Sequence, residues 1–268
     1  MRVAIAVLMM GQAAMSVDAQ WPLKPPASAP RTADGKIDLN GPAPKTADGK
    51  PDLSGTWENG GPTAQGGFGV SPGRGFLDLR PAVPGGIPMK PAAAALRARR
   101  LADNSKDHPD AHCLPLHPVQ LHSHPQPRKI IQTPELVAIV YEANSGMRQI
   151  FVDGRALPAI GGDQGVQPWW YGYSVGRWEG DTLVVTTRGF RDEGWLDEQG
   201  TPGSDALTLT ERFRRPNYGT LDIEVTVDDP KTFEKPFTFP VRQRLMADSD
   251  LIEFICLENQ NDRHLVGK

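Results

Sequence analysis

Histidine is concentrated in one short stretch of the chain, because five of the six histidines lie between residues 107 and 124. If the end of this stretch is extended, His122 and His124 project to the same side, since side chains alternate along a strand. With His117, His112 or His108 as a third ligand, and His117 as the first choice, they would bind Zn or Cu and activate a water molecule at an open coordination position. The alternative is a polar surface loop, because the spacing completes no regular metal motif. We favour the loop, and no cofactor is predicted.

A carboxylate is expected to face inward from the strand predicted at residues 206–214. Glu211 falls in phase with the apolar residues Leu209 and Phe213. An unpaired ionised carboxylate is costly in such a position, so Glu211 must be protonated or must pair with a cation such as Arg177 or Arg242. Both a general acid or base and a structural ion pair fit this pattern.

Asp192 follows the strand predicted at residues 182–190, where a loop would lie at the mouth of a barrel. Functional residues concentrate on loops of this kind. Asp192 and Glu211 together would supply two carboxylates for acid–base chemistry, and Arg177 would stabilise developing negative charge. The alternative for Asp192 is a solvated loop charge.

An aromatic group precedes and enters another predicted strand. Its members are Trp169, Trp170, Tyr171 and Tyr173, with Trp195 further along the chain. Aromatic rings of this kind stack on a sugar ring or on a planar aromatic ligand, and the polar tips of Tyr and Trp fix its orientation. The alternative is that these rings fill the core.

The two cysteines, Cys113 and Cys256, are an even pair, which in an oxidising compartment favours a disulfide. Closing the long loop between them would destabilise the unfolded chain by roughly 5 kcal/mol in the chain-entropy model. Two buried free thiols are the alternative.

The first 19 residues are typical of a signal peptide. Arg2 is followed by an uncharged apolar run from Val3 to Met15, and Val17-Asp18-Ala19 resembles a cleavage site. Export to the periplasm or the medium is therefore expected, and no later stretch is long and apolar enough to span a membrane. Residues 20–52 are rich in Pro and Gly and predict an extended arm.

Residues 53–268 are predicted to form one barrel domain with a helix near residues 91–103, where the sequence is Ala-rich after Pro91. Short alternating runs separated by turn residues predict consecutive antiparallel strands. They are residues 53–57, 129–133, 136–142, 147–155, 171–178, 182–190, 206–214, 220–228, 236–246 and 251–257. Closure removes unpaired edges, so we expect a mainly β, up-and-down barrel. A curved open sheet or a two-sheet sandwich is the alternative. Gly55-Thr56-Trp57 resembles the lipocalin pattern in which Trp closes the base of the barrel.

Several segments together resemble an uncharacterised family of secreted bacterial proteins. Residues 171–185 read YGYSVGRWEGDTLVV, residues 210–215 read TERFRR and residues 264–268 read HLVGK. The resemblance covers most of the chain from residue 48 onward and implies no particular reaction.

The net charge argues against nucleic acid as a partner. The formal net charge is −3 and the chain has no basic block, so a nucleic-acid partner is not expected. The leading hypothesis is a secreted barrel that binds a sugar or an aromatic molecule and acts on it by cofactor-free acid–base chemistry if it is an enzyme. The alternatives are a His-based metalloenzyme and a non-catalytic envelope interaction protein. The sequence does not predict the oligomeric state.

Overall fold

The computed structural model of the chain describes residues 26–60, 78–161, 165 and 167–256. Nine strands form one closed barrel in sequence order, and β1 pairs with β9 to close it. The strands are β1 (Gly55–Asn59), β2 (Arg128–Gln132), β3 (Leu136–Tyr141), β4 (Met147–Phe151), β5 (Tyr173–Glu179), β6 (Thr182–Arg188), β7 (Thr208–Asn217), β8 (Thr220–Asp228) and β9 (Phe237–Leu245). The predicted mainly β barrel is confirmed.

Alternation along the strands builds the core, as the clearest strand illustrates. In β8 the side chains of Leu221, Ile223, Val225 and Val227 point into the barrel and are at most 2% exposed. The polar residues between them lie on the outer face. A period of two residues therefore places one face of each strand in the core and the other in contact with water.

One pair of strands departs from the predicted antiparallel order. Strands β4 and β5 are parallel, with Ile150 opposite Ser174 and Phe151 opposite Val175. A parallel pair needs a long crossover, and residues 152–172 provide it. The strand predicted to reach residue 155 accordingly ends at Phe151, before a turn in which Gly154 has a φ of 85°.

The last predicted strand is wrong in its described part. Residues 251–255 form no strand, and residue 257 lies outside the described residues. The edge of β9 is already occupied by β1, with Trp57 opposite Leu245. Because the barrel is closed by this pair, no edge remains for a tenth strand.

The arm covers one end of the barrel. The amide of Tyr218, in the turn between β7 and β8, donates to the carbonyl of Gly41 over 2.8 Å. Arg215 donates to the carbonyl of Asp52 over 2.6 Å, and its guanidinium lies 4.9 Å from the centroid of the Trp57 ring. Trp57 is fully buried. It packs at the end of the barrel that the arm covers.

The opposite end carries both helices, α1 (Pro91–Ala102) and α2 (Pro118–Leu121). Helix α1 begins with Pro at its first position, as predicted, whereas the four-residue helix α2 was not predicted. Residues 107–126, which contain the clustered histidines, enter this end of the barrel and are called the plug below. Neither helix is long and apolar enough to cross a membrane, as far as the described residues extend. The predicted signal peptide lies outside them.

The predicted disulfide is confirmed. Cys113 and Cys256 are joined with an S–S distance of 2.05 Å. The bridge ties the plug to residues 246–256, the C-terminal strap. Along the strap, the amide of Ile252 donates to Glu142 over 3.2 Å and the carbonyl of Phe254 accepts from Ser145 over 3.0 Å.

Candidate functional site

The plug is a short helix followed by a turn, and it is not an extended strand. His117 caps α2, because its Nδ1 accepts a hydrogen bond from the amide of Val119 over 3.2 Å. Pro118 occupies the first helical position, where its missing N–H costs nothing. His122 follows in a helical conformation, with φ −61° and ψ −29°. The extended arrangement that a His122–His124 metal pair would need is therefore absent. The favoured interpretation, a polar surface loop, is also wrong, because His117, His122 and His124 are buried.

His122 meets the inward carboxylate of the barrel wall. Its Nε2 lies 2.5 Å from Oε1 of Glu211, and Glu211 is fully buried. The inward orientation of Glu211 agrees with the strand phase. Its cation, however, is Arg148, whose Nη1 donates to Oε1 over 2.8 Å and whose Nη2 donates to Oε2. The predicted pairing with Arg177 or Arg242 is wrong.

Two hydroxyl groups also accept hydrogen bonds from Arg148. Its Nη2 donates to Oγ1 of Thr187 over 2.8 Å, and its Nε donates to Oγ of Ser174 over 3.1 Å. The two hydroxyls are themselves 2.9 Å apart. The guanidinium and the Glu211 carboxylate thus form a hydrogen-bonded ion pair in the core, the arrangement that a buried charge requires.

These contacts favour an ionised Glu211 and a neutral His122. Burial alone would raise the pKa of Glu211, but the charge and hydrogen bonds of Arg148 outweigh burial and lower it to about 2. Burial lowers the pKa of His122 despite its contact with Glu211, with Arg148 opposing protonation as well. At neutral pH a neutral His122 donates its Nε2 proton to the carboxylate.

Backbone contacts hold the plug from the other side. Arg128 donates to the carbonyls of His122 and His124 over 2.6 and 2.8 Å. Gln243 also donates to the carbonyl of His122, and Asn59 donates to that of Ser123. The end of this turn is therefore bound by side chains from three strands.

Each of the histidines proposed as metal ligands uses one ring nitrogen in another contact. Nδ1 of His124 accepts from the amide of Gln126, and Nδ1 of His117 caps α2. Burial, helped by Arg148, lowers the pKa of His117 to about 3, and burial helped by Arg128 lowers that of His124 to about 4. Within the described part of the chain, no group of three His, Cys, Asp or Glu residues is arranged to hold a metal ion.

Two of the proposed catalytic residues lie apart from Glu211. Arg177 is exposed on the outer face of β5 and pairs with Glu179 over 2.8 Å. Asp192 is exposed in the connection from β6 to β7. Neither is among the partners of Glu211, which is inaccessible to solvent. The expected acid–base trio is therefore not brought together.

Part of the predicted aromatic group forms a row on the outer surface. Tyr173 stacks on Phe151 with ring centroids 5.3 Å apart, and Trp169 lies 5.7 Å from Tyr173. Trp169 is 44% exposed. Arg155 donates to the hydroxyl of Tyr173 over 3.1 Å and lies 3.8 Å from the Phe151 centroid. These three rings, Phe151, Tyr173 and Trp169, are called the aromatic row.

The other predicted rings are distributed elsewhere. Trp195 is buried. Its ring centroid lies 5.0 Å from that of His108, edge to face, and 4.4 Å from the guanidinium carbon of Arg100. Tyr171 stacks on Tyr141 at 5.9 Å. Trp170 is half-buried, 5.2 Å from the guanidinium of Arg191. The predicted aromatic group is thus not a single pocket.

The larger clefts lie on the surface. One of about 410 Å³ is lined by Arg191, Asp192 and Asp205 among others, and one of about 480 Å³ by Arg188, Asp205 and Asp228. Neither of these two clefts, nor either of two others on the described part of the chain, is lined by Glu211, Arg148 or His122. The expected ligand-sized hollow beside Glu211 is therefore not among them.

Sequence reasoning missed several residues of the interior. Arg148 shares the inner face with Ile150, and Arg128 shares it with Ile130, so strand phase would have identified both. Glu198 carries no comparable signal. It is half-buried, and burial together with Asp110 and Asp197 raises its pKa to about 7.

Comparison with protein-family models, curated proteins and solved structures finds no significant match.

Proposed function

We propose that the chain is an exported binding protein that holds a small organic molecule, a sugar or a planar aromatic compound, on the aromatic row. The exposed ring of Trp169 beside Tyr173 carries this proposal. Exposed aromatic faces stack on sugar rings and on aromatic ligands, because both present flat apolar surfaces. Arg155 and Asp153, paired over 2.6 Å at the other end of the row, supply polar groups that orient a ligand.

The buried cluster around Glu211 is better explained as a lock than as a catalytic site. Three donors occupy the carboxylate, two from Arg148 and one from His122. Each of these side chains is at most 2% exposed, so a substrate would have to displace the plug to reach them. Binding without turnover is therefore the function that we propose.

Export and family membership belong to the same proposal. The apolar run after Arg2 and the disulfide between Cys113 and Cys256 support an oxidising compartment. The three sequence segments that resemble a family of secreted bacterial proteins agree with that compartment.

Calorimetric titration with a panel of methyl glycosides and simple phenols tests this function. We expect one class to bind, and Trp169→Ala to weaken its binding about fivefold to tenfold, since a lost ring contact is worth roughly 1–1.4 kcal/mol. Met147→Ala is the matched control, because Met147 is also exposed (56%) and lies outside the aromatic row. Unchanged binding by Trp169→Ala, or no binding by any member of the panel, would reject the proposal.

A further inference from the structure

Two of the surface clefts meet at one residue. Asp205 lines both the cleft of about 410 Å³ and the cleft of about 480 Å³. Each volume lies within the range of small-molecule sites, roughly 300–1,000 Å³. Because they share Asp205, the two clefts lie side by side, and together they are called the Asp205 groove.

The Asp205 groove adjoins the aromatic row. Tyr173 of the row is the register partner of Arg188, which lines the larger cleft. Trp169 is bonded to the same segment, because its amide donates to the carbonyl of Gly189 over 2.8 Å and its carbonyl accepts from the amide of Arg191 over 3.1 Å. Gly189 and Arg191 line the larger and the smaller cleft, respectively.

The path across the groove is long. Arg188 of β6 donates to Thr208 of β7 over 3.1 Å, and Thr208 is the register partner of Asp228 in β8. From Tyr173 to Asp228 the path crosses three interstrand spacings of about 4.8 Å each, roughly 14 Å in all. A single sugar ring does not fill that length.

The groove carries a small excess of negative charge, which disfavours polyanions. Its acidic residues are Asp192, Glu193, Asp205 and Asp228, and its basic lining residues are Arg188 and Arg191. Lys231, paired with Asp205 over 2.6 Å, adds one cation. Carboxylates accept hydrogen bonds from hydroxyl groups, but they repel uronic acids and sulfated sugars.

We infer that the ligand is a neutral oligosaccharide that extends from the aromatic row into the Asp205 groove. This inference rests on the proposed function, which requires only one ring on the aromatic row. Asp205 lies where the two clefts meet, so its carboxylate is placed to accept hydroxyl groups of the central units.

Titration with the glucose oligomers of the cellulose and starch series, from one to six units, tests the inference. We expect the tetramer to bind at least about tenfold more tightly than the monomer, because it adds contacts along the groove. A polyuronate of the same length should not bind. Asp205→Ala should reduce tetramer affinity about tenfold and leave monomer affinity unchanged.

Two variants separate a groove contact from a lost ion pair. Lys231→Ala removes the partner of Asp205 but keeps the carboxylate, so it should retain tetramer binding. Asp34→Ala removes a similarly exposed carboxylate, paired with Lys36 over 2.9 Å in the arm, and should have no effect.

The possible failures are distinguishable. Equal affinity for monomer and tetramer, both weakened by Trp169→Ala, would overturn the extended ligand and leave the proposed function in place. Binding of a phenol but of no oligosaccharide would do the same. Binding of neither class would overturn both.

Discussion

His122 of the plug lies 2.5 Å from Glu211 of β7, and this contact joins an irregular segment to the wall of the barrel. Because Glu211 is also bound by Arg148 of β4, one buried carboxylate connects three parts of the chain. The plug is thus attached to the inner face of the barrel wall through Glu211.

Removal of the Glu211 carboxylate should destabilise the fold strongly. Glu211→Ala leaves Arg148 as a buried charge without its partner, a change that costs about 3–5 kcal/mol in other proteins. Urea denaturation at pH 7.5 measures the loss. The double variant Arg148→Met with Glu211→Leu should recover most of the stability, and a double variant no more stable than Glu211→Ala would contradict the lock.

Acid should weaken the fold through the plug histidines. Burial lowers the pKa of His117 to about 3 and that of His124 to about 4, whereas an unfolded histidine titrates near 6.5. Below about pH 6.5 the unfolded chain therefore binds protons that the folded chain does not, so the free energy of unfolding falls as the pH falls toward 4. Each histidine contributes up to about 1.4 kcal/mol per pH unit.

The variant His117→Asn tests this assignment, because Asn keeps an acceptor for the helix cap and does not titrate. We expect a smaller loss of stability between pH 6.5 and 4 than in the unmodified chain. His112→Asn is the control, since His112 is exposed. Parallel stability curves for His117→Asn and the unmodified chain would show that His117 does not contribute.

Glu198 should have the opposite pH dependence. Its pKa is raised to about 7 by burial and by Asp110 and Asp197, so between about pH 4.5 and 7 the folded chain retains a proton that the unfolded chain has lost. Stability contributed by this group is lost as the pH rises through 7. Glu198→Gln should therefore raise the melting temperature at pH 8 relative to the unmodified chain. A change of equal size at pH 4 would refute the assignment.

Loss of the disulfide should loosen the plug and the strap before the barrel. Cys113→Ser with Cys256→Ser removes a bridge between residues 143 positions apart and should cost roughly 2–5 kcal/mol. Hydrogen exchange should increase first in residues 108–126 and 246–256, which are held outside the strand ladders. Equal increases in β7 and β8 would instead indicate that the bridge stabilises the whole barrel.

Strand phase was the part of the fold most accessible from sequence. The period of two residues puts Leu221 and Val225 of β8 on the inner face, and it puts Glu211 of β7 on the inner face as well. A shift of one residue would expose the entire apolar face of a strand. The parallel pairing of β4 with β5 was not accessible, since alternation gives the faces of a strand but not the direction of its neighbour.

The partners of Glu211 could not be chosen in the same way. Arg148 was in phase to face inward, but its pairing depends on which strands lie across the barrel.

The plug was mispredicted for a local reason. His117-Pro118 is a helix start, with a cap and a Pro at the first position, and this signal argues against both a surface loop and an extended chain around His122.

The indole N–H signals of the tryptophans give the most direct test of where a ligand binds. Titration of ¹⁵N-labelled protein with the panel of methyl glycosides and phenols should shift the signal of Trp169 and leave those of the buried Trp57 and Trp195 in place. Shifts at Trp57 or Trp195 with an unperturbed Trp169 would place the ligand away from the aromatic row and contradict binding there.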